Sequence, residues 1–271
     1  MKQLTLPNGD TLYYIDKLTA LYVYNEIYVD KVYLYGGLTV KEGDVIFDIG
    51  ANIGVFSRFI TTQAPDLKVF AFEPIRPIFE VLQANLEEVN AEIKNYNIGL
   101  GKKEEDLEIT YYPKLTGDSA IISFDWDYKV NRYVEKYKET IAKDIPLARI
   151  VPRFLRRRVV EAGLKRMYKG EKLPCHIRRL SDIIKENNID RIDLMKIDAE
   201  NYEWQVLVGI DNEDWDKIKQ IAMEVHTHIK GGRNLMMEIT DLLESKGFST
   251  YEGEESRETL MGVYMLYGKR E

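Results

Sequence analysis

The 271-residue chain has a single cysteine, Cys175, which excludes an internal disulfide and predicts a reducing compartment. Cys175 reads as a small buried side chain. No run approaches the roughly 18 uncharged apolar residues of a membrane-spanning helix. The opening Met1-Lys2-Gln3-Leu4 lacks the apolar stretch of a signal peptide, so a soluble, cytoplasmic protein is expected. Basic charge is also short: 38 Lys and Arg face 45 Asp and Glu, a formal net charge of -7. A generally basic, nucleic-acid-binding surface is therefore excluded. Repeats and low-complexity linkers are missing. What remains is a chain that is 45% hydrophobic, ordinary for a globular protein. Its length suits one large domain, or one domain with an insertion.

The N-terminus reads as a hairpin turning at Pro7-Asn8-Gly9-Asp10, since Asn-Gly favours the positive φ of a tight turn. A tyrosine-rich amphipathic stretch from about Thr19 to Tyr35 follows, mostly helical by its spacing. From Asp44 the pattern becomes strand, helix, strand, helix. Val45-Ile46-Phe47 is a short continuous apolar run, as a strand buried on both faces should be. Lys68 to Phe72 reads as a second buried strand and Ile93 to Ile98 as a third strand. This predicts an α/β fold with a mostly parallel sheet. The rhythm resumes at Ile192–Ile197 and Ile218–Val225. Two last strands, near Phe248–Tyr251 and Leu260–Tyr267, have no helix between them and should pair antiparallel at the sheet edge.

Asp48-Ile-Gly-Ala-Asn-Ile-Gly54 closes the first buried strand and opens a helix. Glycines there let a ligand approach the main chain, in the crevice at the strand C-termini where open α/β sheets bind ligands. A dinucleotide site wants G-x-G-x-x-G, and this chain carries Asn52 at the middle glycine. The spacing therefore suits a nucleoside ligand without phosphates. Glu73 ends the next strand, where a carboxylate accepts hydrogen bonds from two ribose hydroxyls.

That loop, Phe72-Glu-Pro74 and Leu194-Met-Lys-Ile-Asp-Ala-Glu200 resemble the FkbM methyltransferases, over most of residues 20–268. Tyr28-Val-Asp-Lys-Val-Tyr33, Tyr111-Tyr-Pro113 with Gly117 and Ser119, and Glu224-Val-His226 resemble the O-methylating members tied to polyketide and peptide assembly lines. The resemblance implies a class I, Rossmann-like methyltransferase fold with a seven-stranded sheet. It implies S-adenosyl-L-methionine as methyl donor, S-adenosyl-L-homocysteine as product, and a small or carrier-bound hydroxyl acceptor. By the same likeness Asp48, Gly50, Asn52 and Glu73 line the donor site with Gly54 in the same loop, and Asn97, Ile98 and Gly99 lie near the adenine. Residues 1–40 would form an N-terminal hairpin and helical cap on a methyltransferase domain of 41–271.

Methyl transfer to an alcohol needs an aligned oxygen and a base to take its proton. Asp198 and Glu200 follow one strand, Glu203 opens the next helix, and Glu224 and His226 end another strand on a shared face. The pairing expected is His226 as general base, oriented by Glu203, with Asp198 and Glu224 beside them; the resemblance supports it. The motif reads Asp198-Ala-Glu-Asn-Tyr-Glu203, departing from the family's commoner Asp-Val-Glu-Gly-Ala-Glu. His176 reads as structural, and His228 as a loop residue that could reach substrate. Asp198, Glu224 and His226 are also a ligand set for a divalent ion, although a metal-independent reaction is expected. Competing readings are a sugar or amine acceptor, a nicotinamide oxidoreductase, and a module that binds the donor without catalysis.

Residues of about 118–174 break the α/β rhythm and read as a helical lid. Between Arg149 and Arg179 the chain carries 11 Lys or Arg and two acids, Glu161 and Glu171. Val151, Leu155, Val159 and Ala162 recur at helical spacing, so that face should pack on the domain. The opposite, basic face would attract an acidic partner such as an acyl carrier protein. Tyr111, Tyr112 and Ser119 could line the acceptor pocket.

Overall fold

The computed structural model describes residues 1–227, 234–254 and 259–270. The hairpin forms as expected: β1 (Lys2–Thr5) pairs antiparallel with β2 (Thr11–Tyr14), and Gly9 takes φ +90°. Helix α1 (Lys17–Tyr24) is N-capped by Asp16, which accepts the Thr19 N–H at 2.7 Å. It continues as a π-helical turn over 25–29 and ends in a short 3-10 turn, Val32–Leu34.

Next come β3 (Val45–Ile49), α2 (Val55–Ile60), β4 (Lys68–Phe72), α3 (Arg76–Leu86) and β5 (Glu92–Tyr96). A second region holds β6 (Gly99–Leu100), β7 (Glu105–Tyr111), α4 (Trp126–Glu135), α5 (Ile141–Asp144), α6 (Arg153–Met167) and β8 (Glu171–Arg178). The chain finishes with α7 (Leu180–Glu186), β9 (Leu194–Ile197), α8 (Glu203–Leu207), β10 (Gln220–His226), α9 (Leu235–Ser245), β11 (Ser249–Glu252) and β12 (Val263–Lys269).

Seven strands form one sheet in the order β11-β12-β10-β9-β3-β4-β5. From β5 to β10 the neighbours are parallel, and β12 runs antiparallel to both of its partners. This is the class I, Rossmann-like arrangement. Alternation along each strand splits the core into two layers. Ile46 and Leu194 pack on one face with Phe56, Phe59 and the N-terminal Leu12 and Tyr24. Phe47, Ile49 and Met195 pack on the other with Leu180, Ile183 and Ile239. None of the described helices is long and apolar enough to cross a membrane.

Two features depart from the sequence reading. Strands β6, β8 and β7 form a separate three-stranded sheet, so the tail of the expected insertion is sheet rather than helix. The lid helices keep a small core of their own, built on Val130, Tyr137, Ala148 and Val160. Within α6 the buried position is Val160, with Leu164 partly buried against the lid core as is Val151 just ahead of the helix, while Val159 and Ala162 are exposed. The apolar stripe is thus rotated from the one expected, because α6 packs on α4 and not on the sheet.

Candidate active site

The C-terminal ends of β3, β9 and β10 bring one face of three adjacent strands together. Asp48 on β3 is the register partner of Lys196 on β9, which pairs in turn with Ala222 on β10. All three lie on the same face, and two residues beyond Ala222 comes Glu224, then His226. Lys196 is buried, with Nζ 2.6 Å from the Gly50 carbonyl oxygen, 3.3 Å from Asp48 and 3.6 Å from Asp198. Burial opposes its charge, but Asp48 and Asp198 outweigh it and hold the ammonium above its usual pKa. Asp48 also accepts the Ser57 hydroxyl at 2.6 Å.

The turn after β3 is built from close backbone approach. Gly50 has φ +74°, and a Cβ there would lie 1.8 Å from the Asp198 carbonyl oxygen. Only glycine fits. Asn52 also takes positive φ, +48°. Its side chain accepts the Ile53 N–H at 2.8 Å, and its own N–H donates to Glu73 at 3.1 Å. The other Glu73 oxygen accepts the Ile75 N–H at 2.8 Å. Burial pushes the Glu73 carboxyl up to about 7, against these two amide hydrogen bonds.

His226 is 2% exposed, and its Nδ1 lies 2.7 Å from Glu203 Oε1. Nε2 is 3.4 Å from Glu200 and 3.9 Å from Glu224. Glu203 is fully buried, accepts the Asn201 N–H at 3.0 Å, and keeps Oε2 without a hydrogen-bond partner. Burial disfavours the imidazolium, but the Glu203, Glu200 and Glu224 carboxylates hold the His226 pKa well above its ordinary value. Burial raises Glu224 to about 7, although the Tyr33 hydroxyl donates to it at 2.5 Å. Glu200 reaches His226 from a left-handed backbone, φ +44°, followed by Asn201 at +71°. Non-glycine residues held there cost about 1–3 kcal/mol each and cluster at functional sites.

These groups face a cavity of about 800 Å³. Of the residues expected at the site, Gly50, Asn52, Glu73, Ile98, Gly99, Asp198, Glu224 and His226 line it. Asp48, Gly54, Asn97 and Glu203 stand outside the lining. Gly54 caps α2 at φ +85°. Asn97 spends its amide on the Glu73 and Pro74 carbonyls, at 2.9 and 3.0 Å, and so sets the turn after β4. Ser119 lines the cavity, whereas Tyr111 and Tyr112 do not. His176 pairs with Asp106 at 2.8 Å, far along the second sheet. His228 lies outside the described residues. Sequence reasoning missed Lys196 and Tyr33, and it set Glu200 aside. The signal for Lys196 was available: a lysine inside a four-residue apolar strand. Tyr33 ends a segment that carries the family likeness, but its role was not readable there, because only folding brings it across 191 positions to Glu224.

Comparison with known proteins follows the geometry. The family model described as "Methyltransferase FkbM domain" matches residues 48–250. The chain belongs to the FkbM methyltransferase family. It is 31% identical to the 31-O-demethyl-FK506 methyltransferase FkbM of Streptomyces tacrolimicus, over 92% of this chain and 89% of that protein. It is 30% identical to methyltransferase sdnD of Sordaria araneosa, over 87% and 85% of the two chains. Against the AMB antimetabolite synthetase AmbE of Pseudomonas aeruginosa it is 33% identical over 91% of this chain, but spans only 11% of the synthetase.

The methyl donor of this methyltransferase is S-adenosyl-L-methionine. The crevice suits it on structural grounds. Asn52 caps the Ile53 amide that a phosphate would otherwise claim at the helix N-terminus. Glu73, Asp198 and Glu200 line the crevice beside the Lys196 ammonium, and carboxyl oxygens suit a sulfonium better than a diphosphate. Asp198, Glu224 and His226 each offer one ligand atom, all within 4.8 Å of one another, as a divalent ion would need. The Lys196 ammonium, 3.6 Å from Asp198, already supplies a cation at that end of the group.

Proposed function

We propose that this methyltransferase transfers a methyl group to a hydroxyl oxygen of a small or carrier-bound natural-product intermediate. The observation that carries the reading is the His226–Glu203 pair, 2.7 Å apart, with His226 on the wall of the cavity that also holds Glu73 and the Gly50 turn and Glu203 behind it. Glu73 suits the ribose hydroxyls, Gly50 and Asn52 the nucleoside beside them, and Ile98 and Gly99 the adenine. Asp48 and Gly54 act from behind, by fixing Lys196 and the start of α2. Bound there, S-adenosyl-L-methionine supplies a methyl group activated by its positive sulfur. The protein must supply the base. Glu203 holds the His226 Nδ1–H, so Nε2 is the atom that takes the acceptor's proton. Asp198 and Glu224 border the same space and set the field around it. The Streptomyces relative is named for methylating a demethylated oxygen, which supports oxygen as the acceptor atom here.

The outer face of the lid supports a carrier-bound acceptor. Arg153 and Arg158 are exposed. Arg156 instead lies over the Tyr137 ring at 4.6 Å, and Arg157 pairs with Asp127 and Glu161. Only part of the basic stretch is therefore offered to an acidic carrier protein. One experiment tests both halves: mass spectrometry for a gained methyl on a hydroxyacyl carrier protein and on its free thioester analogue. His226→Ala is expected to lose about 10²–10⁴ in rate while calorimetry shows donor binding retained. Arg153→Glu with Arg158→Glu should raise KM for the carrier-bound acceptor alone. Full activity in His226→Ala would remove the base assignment.

A further inference from the structure

The left-handed pair after β9 carries more than Glu200. Asn201 follows at φ +71°, where glycine is the residue free of steric cost. Asn201 is 5% exposed, and its Oδ1 is buried without a hydrogen-bond partner. A glycine would relieve both the strained backbone and the orphaned acceptor. What asparagine contributes is its side-chain amide. Nδ2 donates to the Ile122 carbonyl at 3.1 Å, 79 positions away. The backbone N–H of the same residue donates to Glu203 Oε1 at 3.0 Å, the oxygen that also holds His226 Nδ1 at 2.7 Å.

Ile122 belongs to the strap that leads into the lid. Ala120 fixes one end of that strap by exchanging backbone hydrogen bonds with Thr110, at 2.9 and 3.1 Å. Asp125 fixes the other end by capping α4, where it accepts the Tyr128 N–H at 2.9 Å. Between those anchors Ile121 and Phe124 line the same cavity as His226 and Asn201. Asn201 thus joins the strap, through its side chain, to the oxygen that orients the imidazole, through its backbone.

We infer that Asn201 is a positioning residue for methyl transfer: its side chain latches the lid strap to the Glu203–His226 pair, so the seating of the lid sets the orientation of the imidazole. The inference rests on the base reading above and adds a control over it. A molecule in the cavity meets the strap at Ile121 and Phe124 and the base at His226, and Asn201 ties those two walls together. Orientation matters because a misplacement of about 1 Å at a reacting group costs on the order of 10²-fold in rate.

Nitrogen-15 histidine NMR on the full chain, saturated with S-adenosyl-L-homocysteine, reads the pair directly. The His226 Nδ1–H signal, assigned by its loss in His226→Ala, should exchange slowly with water in the wild type. Asn201→Gly keeps the left-handed backbone and the N–H to Glu203, and removes only the latch. It should melt within about 5 °C of the wild type. Amide exchange over 120–124 and exchange of the His226 Nδ1–H should nevertheless each speed up at least about fivefold. Asn201→Asp sets an acceptor against the Ile122 carbonyl and should do the same. Lys129→Met loosens the lid from its other side, so its effect on the imidazole should be less than additive with that of Asn201→Gly. With the free hydroxyacyl thioester analogue as acceptor, Asn201→Gly should lower kcat about 10- to 100-fold and leave KM for S-adenosyl-L-methionine unchanged. A His226 signal that is not slow in the wild type, or that ignores Asn201→Gly, overturns the inference. So does full additivity with Lys129→Met, or a loss of rate that only follows a loss of Tm. Failure of the base reading would look different, as a His226→Ala protein that keeps its full rate.

Discussion

At the scale of single residues, the site is a study in buried charge. Six carboxylates meet here: Asp48, Asp118, Asp198, Glu200, Glu203 and Glu224. Against them stand Lys196, Lys129 and the His226 imidazole. Glu203 decides the state of His226, as the nearest carboxylate and the one hydrogen-bonded to it. The neighbouring carboxylates hold the His226 pKa well above its ordinary value, so the imidazole becomes a base only as pH rises through that raised value. The rate should therefore climb as pH rises through that value. Stability runs the other way. A raised histidine pKa contributes stability that is complete below the unfolded value of about 6.5 and lost as pH rises through the folded one. Glu203→Gln removes the main counter-charge. We expect the acidic limb of the kcat/KM profile to move to lower pH and the plateau to fall by about 10²-fold or more. An unmoved limb would mean that Glu203 does not set the imidazole's protonation. Chelation should leave the rate unchanged, since Lys196 occupies the cationic role beside Asp198; loss of activity on dialysis against EDTA, with recovery on adding one divalent ion, would reverse that.

Among the elements, the lid is held by one polar knot. Asp118 accepts from Lys129 Nζ at 2.5 Å and from the Tyr168 hydroxyl. Lys129 also lies 4.1 Å and 4.4 Å from the Phe124 and Tyr168 ring centroids. These contacts tie the turn before the lid to α4 and to the end of α6. Burial opposes the Asp118 charge, yet Lys129 outweighs it and lowers the pKa. The knot is therefore intact above the unfolded carboxylate range and fails as pH falls through the lower folded value. Lys129→Met leaves Asp118 without its counter-ion. For a partly exposed pair this should cost about 1–3 kcal/mol, below the figure for a fully buried one. Amide exchange over 126–167 should speed up by about 5- to 150-fold while β3, β9 and β10 stay protected. Uniform acceleration across the chain would show that the lid is not a separate unit. The rotated stripe of α6 belongs to this scale too. Helical periodicity shows that one face is apolar, but not which neighbour covers it.

Over the whole molecule, the N-terminal residues and the sheet share one core. Leu12 and Tyr24 pack with Ile46 and Phe56, Tyr33 reaches Glu224, and Gln220 exchanges hydrogen bonds with Thr39 at 2.8 and 2.9 Å. Far-UV and near-UV melting should coincide. S-adenosyl-L-homocysteine at about 100 times its Kd should add ~2.7 kcal/mol of stability, raising Tm by roughly 5–10 °C. An early transition confined to one signal would mean that residues 1–40 melt separately.

The α/β rhythm and the glycine turn of the donor crevice were legible in the chain's own patterns, while the seven-stranded sheet came from the family resemblance, which also supported pairing His226 with Glu203. Strand runs buried on both faces, a glycine turn and a period of two are local patterns, and local sterics and burial dictate them. The sequence alone could not place Lys196 beside Asp48, carry Tyr33 to Glu224, or turn Val160 rather than Val159 into the lid core. Those outcomes depend on strand register and helix rotation, which the packing of distant segments decides by which surfaces it removes from water.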